Sequence, residues 1–329
     1  MIDDRPTVAI QCATYNHEPY IRDCLEGFVM QETNFPFVAI VHDDASTDGT
    51  AAIVKEYANK YPDIIKPIYE TENQYSKPGK PLQKIMNDAI TKTGAKYIAL
   101  CEGDDYWTDP LKLQKQVDFM EANPDVGLLY TDYNEYNEHS RTFKYDMFKS
   151  NKKYMPQSFS DHLLRKCYIA PMSWLFRNDV YQKQCDIESP AHFLDGSFVM
   201  ALKFFLSSKV AFMTDTTAVY RVHEGSATNS GSIKSRYDYH KSVFETQLFF
   251  AHKYCPESFV QKIKESFFTN EYCSILITKD KENYRNLSTY FKRQDNDNIV
   301  KYLIIKLLLK NRLGRQILRQ LYLNRINVI

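Results

Sequence analysis

The 329-residue sequence lacks the segments and pairings that mark several large protein classes. No stretch reaches the roughly 18 consecutive apolar residues that a membrane-spanning helix needs. The start, Met-Ile-Asp-Asp-Arg, has neither the basic nor the apolar part of a secretory leader. The seven cysteines are odd in number and form no Cys-x-x-Cys pair, which argues against a disulfide framework and a zinc site. We therefore expect a cytoplasmic protein.

Two nucleotide-binding motifs are also missing. The sequence contains no Gly-x-Gly-x-x-Gly and no phosphate loop that ends in Gly-Lys-Ser/Thr, so dinucleotide-dependent redox chemistry and P-loop phosphoryl transfer lose their sequence support. A formal net charge of +1 gives no reason to expect a nucleic-acid partner. What the sequence does contain is 43% hydrophobic residues, enough for a sizeable core.

Short β-prone runs alternate with helical patterns through the first hundred residues. Such alternation predicts an α/β fold with a mostly parallel sheet that helices cover on both faces. The predicted strands are residues 7–13, 37–41, 64–69 and 97–100, and the predicted helices are residues 18–32, 50–60 and about 81–91.

The second half continues less regularly and then changes character. Long helical patterns begin near residue 235, after a polar linker at residues 226–232. We therefore predict an α/β domain over residues 1–226 and a helical region over residues 227–329. Before the linker, helices are expected at 111–120 and 198–206, strands at 126–130 and 173–177, and a strand pair at 210–213 and 218–222.

The most informative stretch is an acidic loop. Glu102, Asp104 and Asp105 follow the apolar run at residues 97–100, so three carboxylates emerge together at a strand's carboxyl end. Acids this close repel one another unless a cation compensates them, and hard oxygen ligands suit Mg²⁺ or Mn²⁺. The alternative is an acidic turn that caps the helix starting near Pro110.

Three polar residues further along the sequence are candidate catalytic or ligand-binding residues. Asp195 stands at a helix entry, where a carboxylate is either a cap or a general base. Arg221 and His223 end a predicted strand beside a Gly-bearing loop, which suits contact with a pyrophosphate, although a lone His is more often structural.

Two segments each allow two interpretations. The tyrosine-rich residues 133–155 are either a mobile acceptor-binding loop or a surface meander that packs its aromatic rings inward, and we favour the meander. Residues 299–329 contain seven Lys and Arg and no acidic residue. They form either a basic amphipathic helix on an anionic membrane surface or a helix that packs on the protein.

Taken in order, these loops resemble those of the family 2 glycosyltransferases, the inverting nucleotide-sugar enzymes with the GT-A fold, of the bacterial surface-polysaccharide type. The resemblance covers roughly residues 6–226. It rests on five motifs: the opening strand with Thr14-Tyr15-Asn16-His17, the loop at residues 42–50, Glu102-Gly103-Asp104-Asp105, Leu194-Asp195, and Tyr220-Arg221-Val222-His223.

Three positions depart from the family's pattern. Ala45 replaces the usual Gly, so we expect residue 45 to avoid positive φ. Glu102 replaces the first Asp of the metal loop, and its longer side chain is the weaker candidate for the ion. Leu194 stands where many relatives have Glu, which weakens the assignment of Asp195 more than that of the metal loop.

The resemblance implies a role for each matched residue. Asp105 would hold Mn²⁺ or Mg²⁺, and Asp104 would bind the ribose or a metal-bound water. Asp195 would be the general base. The donor would contact Thr14, Tyr15, Asn16 and Asp44 around the base ring, with Tyr15 stacking and Asp44 accepting a uracil-like imide N–H, and Arg221 and His223 at the diphosphate.

The predicted function is transfer of a sugar, with inversion, from a nucleoside-diphosphate donor that we expect to be UDP-linked to a hydroxyl group. The acceptor would be a saccharide or lipid-linked saccharide, in polysaccharide, O-antigen or capsule assembly, with the protein peripheral to the membrane. One alternative is a catalytically silent scaffold of an assembly complex. Another is a nucleotidyltransferase, although Ala13-Thr14-Tyr15-Asn16 supplies no Gly-rich basic loop to hold a triphosphate.

Overall fold

A computed structural model describes most of the chain. The described residues are 5–79, 81–152, 155–166, 168–189, 193–223, 232–278 and 280–291, with 307, 312–314 and 316–317. The chain divides into two compact units, residues 1–191 with 196–223, and residues 192–195 with 224–329. The predicted boundary after residue 226 lies outside the described residues, as does nearly all of the predicted C-terminal basic helix, so both stay predictions.

The first half of the sheet is parallel. Strands β1 (Val8–Thr14), β2 (Phe37–Asp43), β3 (Ile65–Tyr69) and β4 (Tyr97–Leu100) lie in the order β3-β2-β1-β4. Helices α1 (Ile21–Val29), α2 (Thr50–Lys60) and α3 (Pro81–Thr93) connect them. The strands consist largely of buried apolar residues, as expected for a sheet covered on both faces. The predicted α/β alternation is confirmed.

The second half of the sheet mixes directions. It consists of β5 (Tyr106–Trp107), β6 (Val126–Asn137), β7 (Thr142–Lys144), β8 (Trp174–Arg177) and β9 (Lys209–Val222). The order continues β4-β8-β6-β9-β5, with β7 beside β6. Strand β8 is antiparallel to β4 and β6, and β9 is parallel to β6. The helices here are α4 (Lys112–Ala122), α5 (Phe159–Arg165), α6 (Asn178–Lys183) and α7 (Gly196–Ser207).

One prediction for this half was wrong, and another is confirmed only in part. The predicted strand pair at 210–213 and 218–222 is the single strand β9, because β6 offers it a continuous partner and takes up irregularities by register shifts near Asp132. In the tyrosine-rich segment, the rings of Tyr133 and Phe148 pack inward as expected of a meander, whereas Phe143 and Tyr145 are exposed. Strand β6 runs on to Asn137 and forms an antiparallel hairpin with β7.

The second unit contains long helices. These are α8 (Ile233–Tyr254), α9 (Glu257–Thr278) and α10 (Lys281–Phe291), which agrees with the predicted helical pattern. Buried aromatic rings join α8 to α9, with Phe244 and Phe267 stacked at a centroid distance of 3.8 Å. Within the described ranges, no helix is long and apolar enough to cross a membrane.

Candidate functional site

The loops after β1 and β2 interlock through hydrogen bonds. The Asn16 N–H donates to Ser46 Oγ at 2.9 Å, and the Thr47 N–H donates to Asn16 Oδ1 at 2.8 Å. The His17 N–H donates to Thr50 Oγ1 at 2.8 Å, at the start of α2. Because β1 and β2 are parallel neighbours, their carboxyl ends meet at one edge of the sheet, where ligands of such sheets bind.

Ala45 adopts a backbone conformation that the sequence did not predict. Its φ is +64°, so the expectation that this alanine avoids positive φ was wrong. The turn is held from both sides, since the Asp44 N–H donates to the Thr14 carbonyl at 2.9 Å and the Ser46 N–H donates to Asp43 Oδ2 at 3.3 Å. The left-handed conformation costs an alanine about 1–2 kcal/mol, and these bonds offset that cost.

Asp44 is buried and anchors a third loop. Its Oδ1 accepts the Gln74 N–H at 2.7 Å, and its Oδ2 accepts the Tyr75 N–H at 2.9 Å. Each oxygen retains a second lone pair. Tyr15, in contrast, is exposed at this edge of the sheet.

Asp105 is a buried carboxylate with little compensation. It is 5% exposed, and among the described residues its only hydrogen-bond donor is the Arg221 N–H, 2.8 Å from Oδ1. Burial, followed by the negative charge of Asp104, raises the pKa of Asp105 well above its ordinary value. A cation beside the free Oδ2 would reverse that effect.

Asp104 lies between two histidines. Its Oδ2 is 3.0 Å from His223 Nε2 and 3.9 Å from His17 Nε2. Burial opposes ionisation of Asp104, but the His223 hydrogen bond and the charges of His17 and His223 hold its pKa below the ordinary value. Burial lowers the pKa of His17, which favours its neutral form.

The guanidinium of Arg221 fixes this loop from β9. Its Nε donates to the Asp104 carbonyl at 2.9 Å, Nη2 donates to Asp23 at 2.7 Å, and Nη1 donates to Glu138. The rings of Tyr20 and Tyr106 flank it, with centroids 5.0 and 4.9 Å from the guanidinium carbon. Arg221 therefore contacts residues 102–105, which we call the carboxylate loop, through both its backbone and its side chain.

Gly103 is required by close approach. A Cβ atom at this residue would lie 2.6 Å from Thr14 Oγ1 and 3.0 Å from His17 Nδ1. The loop after β4 therefore packs directly on the loop after β1. Glu102, one residue earlier, is exposed, and its carbonyl accepts the Asp105 N–H at 3.1 Å.

The acidic residues do not form the helix cap considered above. The N-cap residue of α4 is Leu111, which has no side-chain cap, and its N–H donates to Asp109 Oδ1 at 2.9 Å. Asp104 and Asp105 face Arg221 and the histidines instead.

Several buried polar atoms at this edge have no hydrogen-bond partner in the described structure. They are Thr14 Oγ1, His17 Nδ1, Asp43 Oδ1 and Asp104 Oδ1. Burying such atoms without partners is costly, so a cluster of them points to a bound ligand or ordered water. Sequence reasoning missed His17 and Asp43, although both stand next to predicted site residues at the ends of β1 and β2.

The residues fit a divalent cation held by few protein ligands. Among the described residues, no three His, Cys, Asp or Glu side chains converge on one point. Mg²⁺ is typically bound by one or two carboxylates together with substrate phosphates, so a closed cage is not needed. The free Oδ2 of Asp105 and the unpartnered Oδ1 of Asp104 supply such carboxylate oxygens.

The sequence model of glycosyl transferase family 2 matches residues 10–183, which include most of β1, all of β2 and β4, and the loops that follow these three strands. The chain belongs to this family. The resemblance inferred from the motifs is thereby confirmed.

Among curated proteins, the chain is similar to the uncharacterized protein Rv1520 of Mycobacterium tuberculosis (strain H37Rv). The two are 32% identical over 217 residues, or 66% of this chain, and the match spans 59% of that relative's length.

Two solved structures share the fold. TarS of S. aureus, solved with UDP-GlcNAc, matches with a TM-score of 0.58 and 20% identity over 85% of this chain and 77% of its own. The mannosyltransferase PcManGT of Pyrobaculum calidifontis, solved with GDP-Man and Mn²⁺, matches with a TM-score of 0.56 and 17% identity over 99% and 87% of the two chains. The predicted GT-A architecture is confirmed.

Asp195 belongs to the second unit. Its Oδ2 accepts the Tyr239 hydroxyl at 2.6 Å, and the neighbouring Leu194 N–H donates to Ser242 Oγ at 2.8 Å. The residue just before α7 is therefore held by α8. Thr14, Asn16, Asp44, Asp104, Asp105, Arg221 and His223 belong to the first unit together with Tyr15 and Glu102.

Proposed function

We propose that this protein is a glycosyltransferase that moves a sugar from a nucleoside-diphosphate sugar to an acceptor hydroxyl, with inversion and with a divalent cation. The observation that carries the proposal is the pair Asp104–Asp105, where a buried carboxylate with one hydrogen-bond donor adjoins an unpartnered carboxylate oxygen. A divalent cation would stabilise such a pair, and the phosphates of the donor would complete the coordination of that cation.

Asp105 and Asp104 would hold Mn²⁺ or Mg²⁺, and Glu102 is the weaker third candidate because it is exposed. The bound cation would neutralise the charge that develops on the departing nucleoside diphosphate. PcManGT, which shares the fold, was solved with Mn²⁺.

The loops after β1 and β2 would bind the nucleoside. Tyr15 would stack on the base ring, Thr14 and Asn16 would shape the loop, and Asp44 would accept an imide N–H with a remaining lone pair. We propose a UDP-linked donor, since TarS was solved with UDP-GlcNAc and an imide donor is a property of uracil-like rings. GDP-Man in PcManGT makes GDP the donor nucleotide to test beside it.

Arg221 and His223 would act on the diphosphate mainly by positioning the carboxylate loop. The Arg221 N–H and Nε bond Asp105 and the Asp104 carbonyl, and His223 bonds the Asp104 side chain. A fixed loop keeps the cation ligands in place without reorganisation during transfer.

Asp195 would remove the proton of the acceptor hydroxyl as that oxygen attacks the anomeric carbon from the face opposite the leaving group. The Tyr239 hydroxyl, 2.6 Å away, would orient the carboxylate. The acceptor would be a saccharide or lipid-linked saccharide in bacterial surface-polysaccharide assembly. Residues 299–329 would contact an anionic membrane surface, because their seven basic residues and absent acids favour it.

The test is calorimetric binding of UDP, GDP, dTDP and CMP, each with Mn²⁺ and with chelator, to wild type, Asp105→Asn and Asp118→Asn. Asp118 is an exposed acid on α4 and serves as the matched control. We expect one diphosphate to bind with Mn²⁺ to wild type and Asp118→Asn, and to bind much more weakly to Asp105→Asn.

Turnover of the matching nucleotide sugar then separates the alternatives. Hydrolysis or transfer supports the enzyme, whereas binding without turnover supports the silent scaffold. Calorimetry with the matching nucleoside triphosphate completes the test, and tighter binding of the triphosphate than of every diphosphate would favour the nucleotidyltransferase. No metal-dependent nucleotide binding would refute the proposed site.

A further inference from the structure

A row of side chains leads from the carboxylate loop to the edge of the first unit. Arg221 of β9 is the direct partner of Tyr136 of β6, and Tyr136 is the direct partner of Phe143 of β7. Directly opposite residues in neighbouring strands project to the same face of a sheet. Arg221 lies 6.0 Å from the Tyr136 ring, and the Tyr136 and Phe143 rings are 4.5 Å apart.

The outer end of this row is an exposed aromatic pair. Tyr145, two residues after Phe143, stacks on it with a centroid distance of 5.5 Å and an interplanar angle of 14°. The exposed fractions are 40% for Phe143 and 63% for Tyr145. Arg221, at the inner end, is buried and bonds Asp105 through its N–H. The row therefore connects the buried Arg221, which holds the Asp104–Asp105 loop, to two exposed aromatic rings.

The hairpin that carries the rings is held at both turns. After Tyr145, Asp146 takes a φ of +53° and donates its N–H to Asn134 Oδ1 at 2.9 Å. Between the strands, the Ser140 N–H donates to Asn137 Oδ1 at 2.9 Å. Such local bonds restrain the backbone at each turn, so the rings are presented from a defined hairpin.

We propose that Phe143 and Tyr145 are a stacking site for a sugar ring of the saccharide acceptor. This inference rests on the proposed function and adds the acceptor site to it. An aromatic face suits the apolar C–H face of a pyranose, while the sugar hydroxyls point outward to polar groups.

The size of the exposed pair favours a sugar over a protein partner. A stable protein interface buries about 800 Å² on each partner, far more than the exposed part of two rings offers.

The distance from this aromatic pair to Arg221, which bonds the carboxylate loop, determines how long the acceptor must be. Two strand spacings of about 4.8 Å place Phe143 about 10 Å from Arg221, so a ring on this pair belongs to an oligosaccharide and not to a single sugar.

The experiment measures binding of cellotetraose, chitotetraose, maltotetraose and α-1,6-mannotetraose, and of their monosaccharides, by calorimetry. The test variant is Phe143→Leu/Tyr145→Leu, which keeps apolar side chains but removes the flat rings. The matched control is Phe143→Tyr/Tyr145→Phe, which keeps them. UDP and GDP binding with Mn²⁺ is measured on the same samples.

We expect at least one tetrasaccharide to bind equally well to wild type and to the aromatic control. The same tetrasaccharide should bind roughly tenfold more weakly to the leucine variant. Its monosaccharide should bind more weakly to all three proteins. The inference is overturned if no tetrasaccharide binds, or if the leucine variant binds as wild type does. If wild type still binds UDP or GDP with Mn²⁺ in that case, only the acceptor site is refuted and the proposed function stands. If wild type binds neither nucleotide, the proposed function itself is refuted.

Discussion

Two buried aspartates of the first unit, one in a strand and one in a loop, differ in how many hydrogen bonds their carboxylates accept. Asp132, on β6, is 0% exposed and accepts three backbone N–H groups, from Tyr133, Phe148 and Lys149, each at 2.9 Å. Asp105 is 5% exposed and accepts one, from Arg221. The first carboxylate is fully compensated by the chain, and the second is not.

The difference separates a structural role from a functional one. A buried carboxylate that accepts several backbone N–H groups ties segments together, as Asp132 ties β6 to residues 148–149. A buried carboxylate with one donor costs folding free energy unless a ligand supplies the missing charge. We therefore expect substitutions at Asp132 to affect stability, and substitutions at the candidate site to affect activity.

The largest loss of transfer rate is expected at Asp195, the proposed general base and the third carboxylate in this comparison. Asp195→Asn should lower the transfer rate roughly a thousandfold while donor binding stays unchanged, because only proton removal is lost. Single-turnover rates and calorimetry on the same protein measure the two quantities. A parallel fall in donor affinity and rate would instead make Asp195 a structural residue. Tyr239→Phe, which removes the orienting hydroxyl, should have a smaller effect.

Asp105→Asn tests the uncompensated carboxylate directly. The transfer rate should fall roughly a hundredfold or more, since the cation loses its main ligand. The free energy of unfolding without metal should stay equal or rise, because the buried charge is removed. Turnover and chemical denaturation in chelator provide both numbers. Wild-type turnover would end the metal assignment, and strong destabilisation would mean that the charge is already compensated in the apo protein.

Asp132→Asn should show the opposite pattern. The amide NH₂ would face an N–H donor, so the free energy of unfolding should fall by about 2 kcal/mol. Transfer per folded molecule should be nearly unchanged. Denaturation and active-site-normalised kinetics test this, and a selective loss of activity would contradict the distinction drawn between the two aspartates.

A buried histidine without hydrogen-bond partners among the described residues should make the free energy of unfolding depend on pH. His162 is 1% exposed, neither ring nitrogen has a partner among the described residues, and burial lowers its pKa from 6.5 to about 3. Below pH 6.5 the unfolded chain therefore takes up a proton that the folded protein does not, so stability falls as the pH falls. This residue should contribute a loss of about 2 kcal/mol between pH 7 and pH 5.

His162→Phe isolates that contribution, because a ring of similar size keeps the contacts with Phe198 and Phe205. Denaturation of both proteins at several pH values should show a shallower acid dependence in the variant. Identical slopes would mean that His162 is protonated or partnered in the folded state.

The smallest effect is expected at Ala45. Glycine has no steric cost at a φ of +64°, so Ala45→Gly should raise the free energy of unfolding by about 1 kcal/mol without changing donor affinity. Thermal unfolding and calorimetry measure the two quantities. A destabilised variant would show that the conformation of residue 45 differs from the one described.

Much of the parallel half was predictable from local patterns. Apolar runs such as residues 97–100 mark strands because burial on both faces requires continuous hydrophobic residues. The polar residues that follow them, including Asp105, fall at the carboxyl ends, where parallel strands bring their loops together. The second half was less predictable, since β9 crosses a polar stretch that looked like a turn.

The sequence by itself determined the order of strands and loops and the identity of the carboxylates at their ends, because apolar runs and loop residues are local properties. Tertiary structure alone decided which carboxylate is compensated. Arg221 reaches Asp105 across 116 residues, and Phe148 and Lys149 reach Asp132 through the fold of the hairpin segment. Such hydrogen bonds depend on strand register, which one segment's pattern does not specify.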